Sequence, residues 1–168
     1  PTMSTQEALG RILVEFSRVP GVAERTLTLS PDVAVSTNLG GWISKMGVYA
    51  PADRPNYFAM HNIQTLVRWR QSTKGNHIEL GIAENNFYLA LAMFGLSHEY
   101  NGEVLFPVGT IYDPFVARGL DALIYGVYSG AKFIFAGTPS GITLSREGGA
   151  HQSIVTPLVG MGLPNLIY

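Results

Sequence analysis

Cysteine is missing from all 168 residues, which excludes disulfides, thiol nucleophiles and cysteine-held metals together. Charge is scarce too. Only 11 basic and 12 acidic side chains are present, 14% of the chain, and the formal net charge is −1; the usual charged share is about a quarter. With no basic excess there is no electrostatic footprint for nucleic acid. No apolar run attains the roughly 18 residues of a membrane span and no signal sequence opens the chain. The expectation is a soluble, cytoplasmic protein without membrane or nucleic-acid partners. Neither G-x-G-x-x-G nor a phosphate loop occurs, and "EGGAHQ" lacks the Lys-Ser/Thr that such a loop needs. His61, His77, His98 and His151 stand at no metal-ligand spacing, so no metal site is expected. "GTPSG" (137–141) misses the G-x-S-x-G elbow because Ser140 falls one place late.

What is present is apolar: 46% of the residues are hydrophobic. That length supports one domain with a sizeable core, and the apolar surplus points to extensive burial or subunit contact. "STQEALGRILVEFSRV" opens with Ser4 and Glu7 at capping-box spacing. Ala8, Leu9, Ile12, Leu13 and Phe16 follow at helical spacing, and Pro20-Gly21 ends the helix. "RTLTLSPD" reads as a strand running into a turn at Pro31-Asp32. Residues 36–60 carry glycines, prolines and aromatics without periodicity and read as a long loop. "HIEL" is a short strand before a helix beginning near Glu84, and "EVLFPVGT" is the next strand. Asp113 and Pro114 then serve as cap and first-turn proline of a helix striped by Val116, Leu120, Leu123 and Val127. "KFIFAGT" reads as a strand buried on both faces. "PSGITLSREGGAHQS" follows as a glycine-rich loop, then a short helix and "NLIY" as a last strand. The alternation predicts an α/β fold, a mostly parallel sheet flanked by helices, with ligands at the loops beyond the strand C-termini. Glu84, Tyr112 and His151 fall there.

"HIELGIAENN" (77–86) sets Glu84 at the mouth of a helix whose Phe87, Leu89, Leu91, Met93 and Phe94 span the whole wheel. A glutamate at a helix N-terminus is ordinarily a favourable charge against the macrodipole. An all-round apolar helix, however, belongs in a core or interface. A carboxyl at its start is then desolvated, which favours the neutral acid and suits proton work.

"HIELGIAENN", "FPVGTIYDPFVARGLDAL" and "GTPSGITLSREGGAHQS" resemble the pyrimidine-binding domain of transketolase-like thiamine diphosphate enzymes. "STQEALGRIL" and "LSPDVAVSTNLGGWISKMGVY" extend the resemblance over most of the chain. The segment ending in "GVYAP" and the Glu147-to-His151 spacing look most like the homodimeric bacterial pyruvate dehydrogenase decarboxylating component. The resemblance implies catalytic roles for Glu84 and His151. Glu84 matches the glutamate that hydrogen-bonds the aminopyrimidine ring, favouring the imino tautomer that deprotonates the thiazolium carbon; His151 matches a loop histidine that meets substrate. Cofactor contacts are implied for Ile82 (an apolar wedge), Phe115 (stacking on the pyrimidine), Tyr112, Arg118 and Asp32.

The Gly-Asp-Gly motif with which these enzymes hold Mg²⁺ and the diphosphate occurs nowhere in the chain. The resemblance therefore makes residues 1–168 a single pyrimidine-binding domain, the central domain of a longer enzyme, inactive in isolation. Thiamine diphosphate would be its cofactor, with Mg²⁺ held by a domain outside the chain. A second copy in a homodimer and the diphosphate-binding domain or subunit would be its partners. A transketolase-type ketol transferase domain and a non-catalytic assembly module of the same fold stand as alternatives.

Overall fold

The computed structural model describes residues 2–138, 148–154 and 156–168; Ser140, Glu147 and the rest of 139–147 lie outside the described residues. Ser4 Oγ accepts from the Glu7 N–H at 3.1 Å, capping α1 (Thr5–Phe16) as the sequence spacing predicts. Leu13 is fully buried, but Ile12 and Phe16 of the same stripe stay partly exposed.

Between β1 (Thr26–Ser30) and β4 (His77–Glu79) the structure corrects the long-loop reading. This stretch holds α2 (Gly40–Met46), β2 (Val48–Tyr49), the single turn α3 (Tyr57–Met60) and β3 (Gln71–Ser72). Gly40 and Gly41 look like loop punctuation, yet they are close-packing positions. A Cβ on Gly41 would meet Val14 of α1 at 2.7 Å, and one on Gly40 would meet Val67 at 2.9 Å. Trp42 and Ile43 are thereby driven into the core.

Downstream come α4 (Glu84–Gly95), α5 (Ser97–Asn101), β5 (Phe106–Ile111), a 3-10 turn (Asp113–Gly119), α6 (Leu120–Tyr128), β6 (Ile134–Gly137), a second 3-10 turn (Gly149–His151) and α7 (Thr156–Gly162). Among the described residues six strands form one sheet in the order β3-β2-β4-β1-β5-β6. Every pairing is parallel, so the expected α/β architecture is present.

Strand alternation divides the core between two faces. Leu29 and Ile111 join Phe87, Tyr88 and Leu91 of α4 and Leu123 and Val127 of α6. Val108 joins Leu13 of α1, Trp42 and Ile43 of α2, and Leu39. Gly109 has no side chain because the Phe87 ring lies where its Cβ would be. The polar residues of "TLTLS" are buried as well, and each is satisfied. Thr26 Oγ1 donates to Val22 O at 2.8 Å, Thr28 Oγ1 meets His77 Nδ1 at 2.8 Å, and Ser30 Oγ accepts from Val33 N at 3.0 Å.

Four smaller expectations are corrected. Tyr112, not Asp113, is the N-cap of the turn before α6, and Asp113 lies buried within that turn. Leu89 and Met93 leave α4 half exposed on one side. β6 is not buried on both faces among the described residues: Phe133 and Phe135 pack inward, while Ile134 is 64% exposed at the sheet margin. "NLIY" forms no strand; Leu166 packs against the α4–α6 cluster, and Ile167 and Tyr168 face solvent. No helix among the described residues is long and apolar enough to cross a membrane.

Candidate functional site

Glu84 is the first residue of α4, reached from β4 through Gly81 at φ 68° and Ala83, an N-cap without a side-chain hydrogen bond. It is 8% exposed. Burial does not leave the carboxylate without a partner. Arg118 Nη1 donates to Glu84 Oε1 at 3.0 Å. Arg118 comes from the 3-10 turn beyond β5, and its neighbour Gly119 permits the approach. A Cβ there would meet Glu84 O at 2.6 Å and Tyr88 Cδ2 at 2.5 Å.

The Arg118 guanidinium carbon also lies 3.9 Å from the centroid of the Phe115 ring, a close cation–π stack. Phe115 is in turn 5.8 Å from the Tyr112 ring and 5.3 Å from His151; Tyr112 and His151 are 6.1 Å apart, edge to face. The Tyr112 hydroxyl donates to Ser36 Oγ at 2.8 Å. Five of the seven residues singled out in the sequence (Glu84, Arg118, Phe115, Tyr112 and His151) thus form one connected group beyond the C-terminal ends of β4, β5 and β6, where ligands of open α/β sheets bind.

Asp32 and Ile82 stand apart from that chain of contacts. Ile82 is 77% exposed beside α4. Asp32, in the left-handed region at φ 67°, lines a neighbouring cavity of about 380 Å³ with Ser36, Trp69 and Glu79. Its N–H donates to Glu79 Oε1 at 2.7 Å. Glu79 Oε2 lies 3.5 Å from Nε2 of the fully buried His77. Ser36 and Glu79 escaped the sequence reading. Glu79 carried a usable signal, since "HIELG" places it at a strand C-terminus just before a glycine turn. Ser36 carried none, because its partner Tyr112 is 76 residues away.

Two buried groups back the site. Burial pushes the Asp113 carboxyl up from its ordinary range, opposed by a smaller pull from the Thr156 hydroxyl. Burial, and then the Asp113 charge, push the Tyr88 phenol up; that hydroxyl has no hydrogen-bond partner among the described residues. A second cavity, about 1170 Å³, lies between β6, α6 and the C-terminal residues. Asp113 lines it, but Glu84, Phe115 and Arg118 do not. The connected polar and aromatic contacts, rather than volume, identify the candidate site. Among the described residues no three His, Asp or Glu gather as a metal centre. What the site offers is a buried carboxylate, an aromatic face and an edge-on imidazole, which together suit a flat, nitrogen-bearing ring.

No protein-family model matches the chain. It is similar to the pyruvate dehydrogenase E1 component of Corynebacterium glutamicum, 24% identical over 159 residues, covering 94% of this chain and 17% of that one. Among solved structures, transketolase from Campylobacter jejuni superposes with a TM-score of 0.70 at 19% identity, over 96% of this chain and 20% of the other. Transketolase from Leishmania mexicana gives 0.66 at 20% identity, over 98% and 21%. The chain spans about a fifth of the length of these relatives. By superposition the chain has the α/β fold of a transketolase domain, and its sequence is similar to that of a pyruvate dehydrogenase E1 component.

Proposed function

We propose that the chain is the pyrimidine-binding half of a thiamine diphosphate-dependent enzyme, a 2-oxo acid dehydrogenase decarboxylating component. The observation that carries this reading is the buried Glu84 carboxylate linked through Arg118 to the Phe115 ring, with His151 at that ring's edge. When bound, the cofactor supplies an acidic ring carbon that attacks a substrate carbonyl. Glu84 would share a hydrogen with a pyrimidine ring nitrogen, and its burial keeps water from competing for that bond. Phe115 and Tyr112 would fix the ring by offset stacking. His151 would meet the substrate's oxygen and move its proton, since an imidazole carries a donor and an acceptor nitrogen on one ring. Asp32 and Ile82 would bound the cleft on the β1 and β4 sides.

In this reading the diphosphate and its Mg²⁺ sit on a domain or subunit outside the chain, and the isolated chain does not turn over substrate. A second copy would pack on the outward faces of α4 and α6, where Leu89, Met93, Tyr125 and Tyr128 are more than half exposed. Transketolase-type ketol transfer is the second reading, favoured by the superposed structures being transketolases. Assaying the complete enzyme with a 2-oxo acid and with a ketose phosphate separates the two.

Glu84→Gln tests the site in both readings. It should abolish turnover and slow exchange of the cofactor's ring C–H by far more than tenfold, with the fold intact. Exchange within about tenfold of wild type, roughly 1.4 kcal/mol in barrier, overturns the assignment and leaves an assembly module.

A further inference from the structure

We infer that Arg118 is a gate on the pyrimidine subsite: its guanidinium occupies both contacts assigned to the cofactor ring, and the ring enters by displacing it. The inference rests on the pyrimidine-site reading.

One side chain holds both positions. Arg118 Nη1 is 3.0 Å from Glu84 Oε1, and Arg118 Cζ is 3.9 Å from the Phe115 centroid. A flat guanidinium lying on an aromatic face while donating to a carboxylate offers the contacts an aminopyrimidine would offer. The two ends of the pair differ in freedom. The Arg118 side chain is 52% exposed and has a way out into solvent, whereas that of Glu84 is 10% exposed. Among the described residues Arg118 has no hydrogen-bond or ion-pair partner besides Glu84, so the same event that uncovers Phe115 releases the arginine. Gly119 keeps the stem against α4, and the gate swings from a fixed hinge point.

The exchange also selects. Once Arg118 leaves, Glu84 is a buried acceptor without a donor, a costly state. Only a ring with a polar nitrogen edge that shares a hydrogen with the carboxyl restores the bond, so Arg118 discriminates against flat rings that are wholly apolar at that edge.

The test titrates the full chain with thiamine, which carries the aminopyrimidine without a phosphate, by calorimetry and by the ¹⁵N resonance of the Arg118 Nε–H. A half-exposed ion pair and a single ring contact are each weak, so Arg118→Ala should bind thiamine about tenfold tighter than wild type. Arg118→Lys keeps the charge without the flat stack and should fall between them. Because Arg118→Ala strips from a buried carboxylate its only partner among the described residues, Arg118→Lys and the wild-type resonance decide the matter if the alanine variant does not fold. At saturation the wild-type Arg118 resonance should move to that of a solvated arginine. Equal or weaker binding by the variants, or an unmoved resonance, overturns the gate while leaving the pyrimidine reading standing. Binding of thiamine by none of the three proteins overturns the gate and the pyrimidine reading together.

Discussion

Asp113 is 8% exposed at the start of the turn that presents Phe115 and Arg118. Its folded-state pKa is raised by burial, so the neutral acid is the form the fold prefers. The stability it contributes is complete below the unfolded value of about 3.9 and is lost as pH rises through the folded value. Wild type should therefore lose stability relative to Asp113→Asn as pH rises above that unfolded value, the variant melting higher at neutral pH and alike at acid pH. Melting curves from acid to neutral pH check it, and a gap that widens on acidification contradicts the assignment. Residues of this kind were only partly legible in the sequence. Glu84, Phe115, Arg118, Tyr112 and His151 could be picked out because the segments that hold them resemble a known family. The Glu84–Arg118 pair could not, since nothing local in "ENNF" or "FVAR" records a bond across 34 residues. Asp113 was misread as a cap because Asp-Pro is a strong helix-start signal, while its burial depends on Gly137 and Thr156, far along the chain.

At the scale of elements, the junction of α4 with the 3-10 turn decides the site's geometry. Gly119 lets the turn touch Glu84 O and the Tyr88 ring. Gly119→Ala should cost about 1–3 kcal/mol of stability through overpacking, and it should also part Arg118 from Glu84. Urea unfolding measures the first effect and the Arg118 side-chain resonance the second. A variant as stable as wild type, with that resonance unchanged, would mean the junction gives way freely. Long elements with a clear period (α1, β1, α4, β5 and α6) were readable in the sequence. The short ones were not. α2 is hidden because its two glycines signal a loop by composition but serve packing by position. β2 and β3 are two residues each, too short for any alternation to appear. "NLIY" has strand composition, but the interior cluster takes up Leu166 before a ladder can form.

For the whole molecule, scarcity of charge and the half-exposed Leu89 and Met93 point the same way. The chain should self-associate as a symmetric dimer, the commonest closed arrangement, and Leu89→Glu with Met93→Glu should return it to a monomer of 18.2 kDa in light scattering. A monomeric wild type at high concentration would refute the packing proposed for α4. The sheet itself has a consequence in time. Every neighbour in it is parallel, so no hairpin can nucleate it, and β1 lies at its centre. The side chains that pin β1 and its following loop meet partners 49 and 73 residues away. Such non-local closure makes refolding slow. Both flanks of β1 stay open until distant segments arrive, and open flanks pair with other molecules. Recovery of folded chain from denaturant should therefore depend on dilution, with the yield set by a race between β1 finding β4 and β5 of its own chain and finding those of a neighbour.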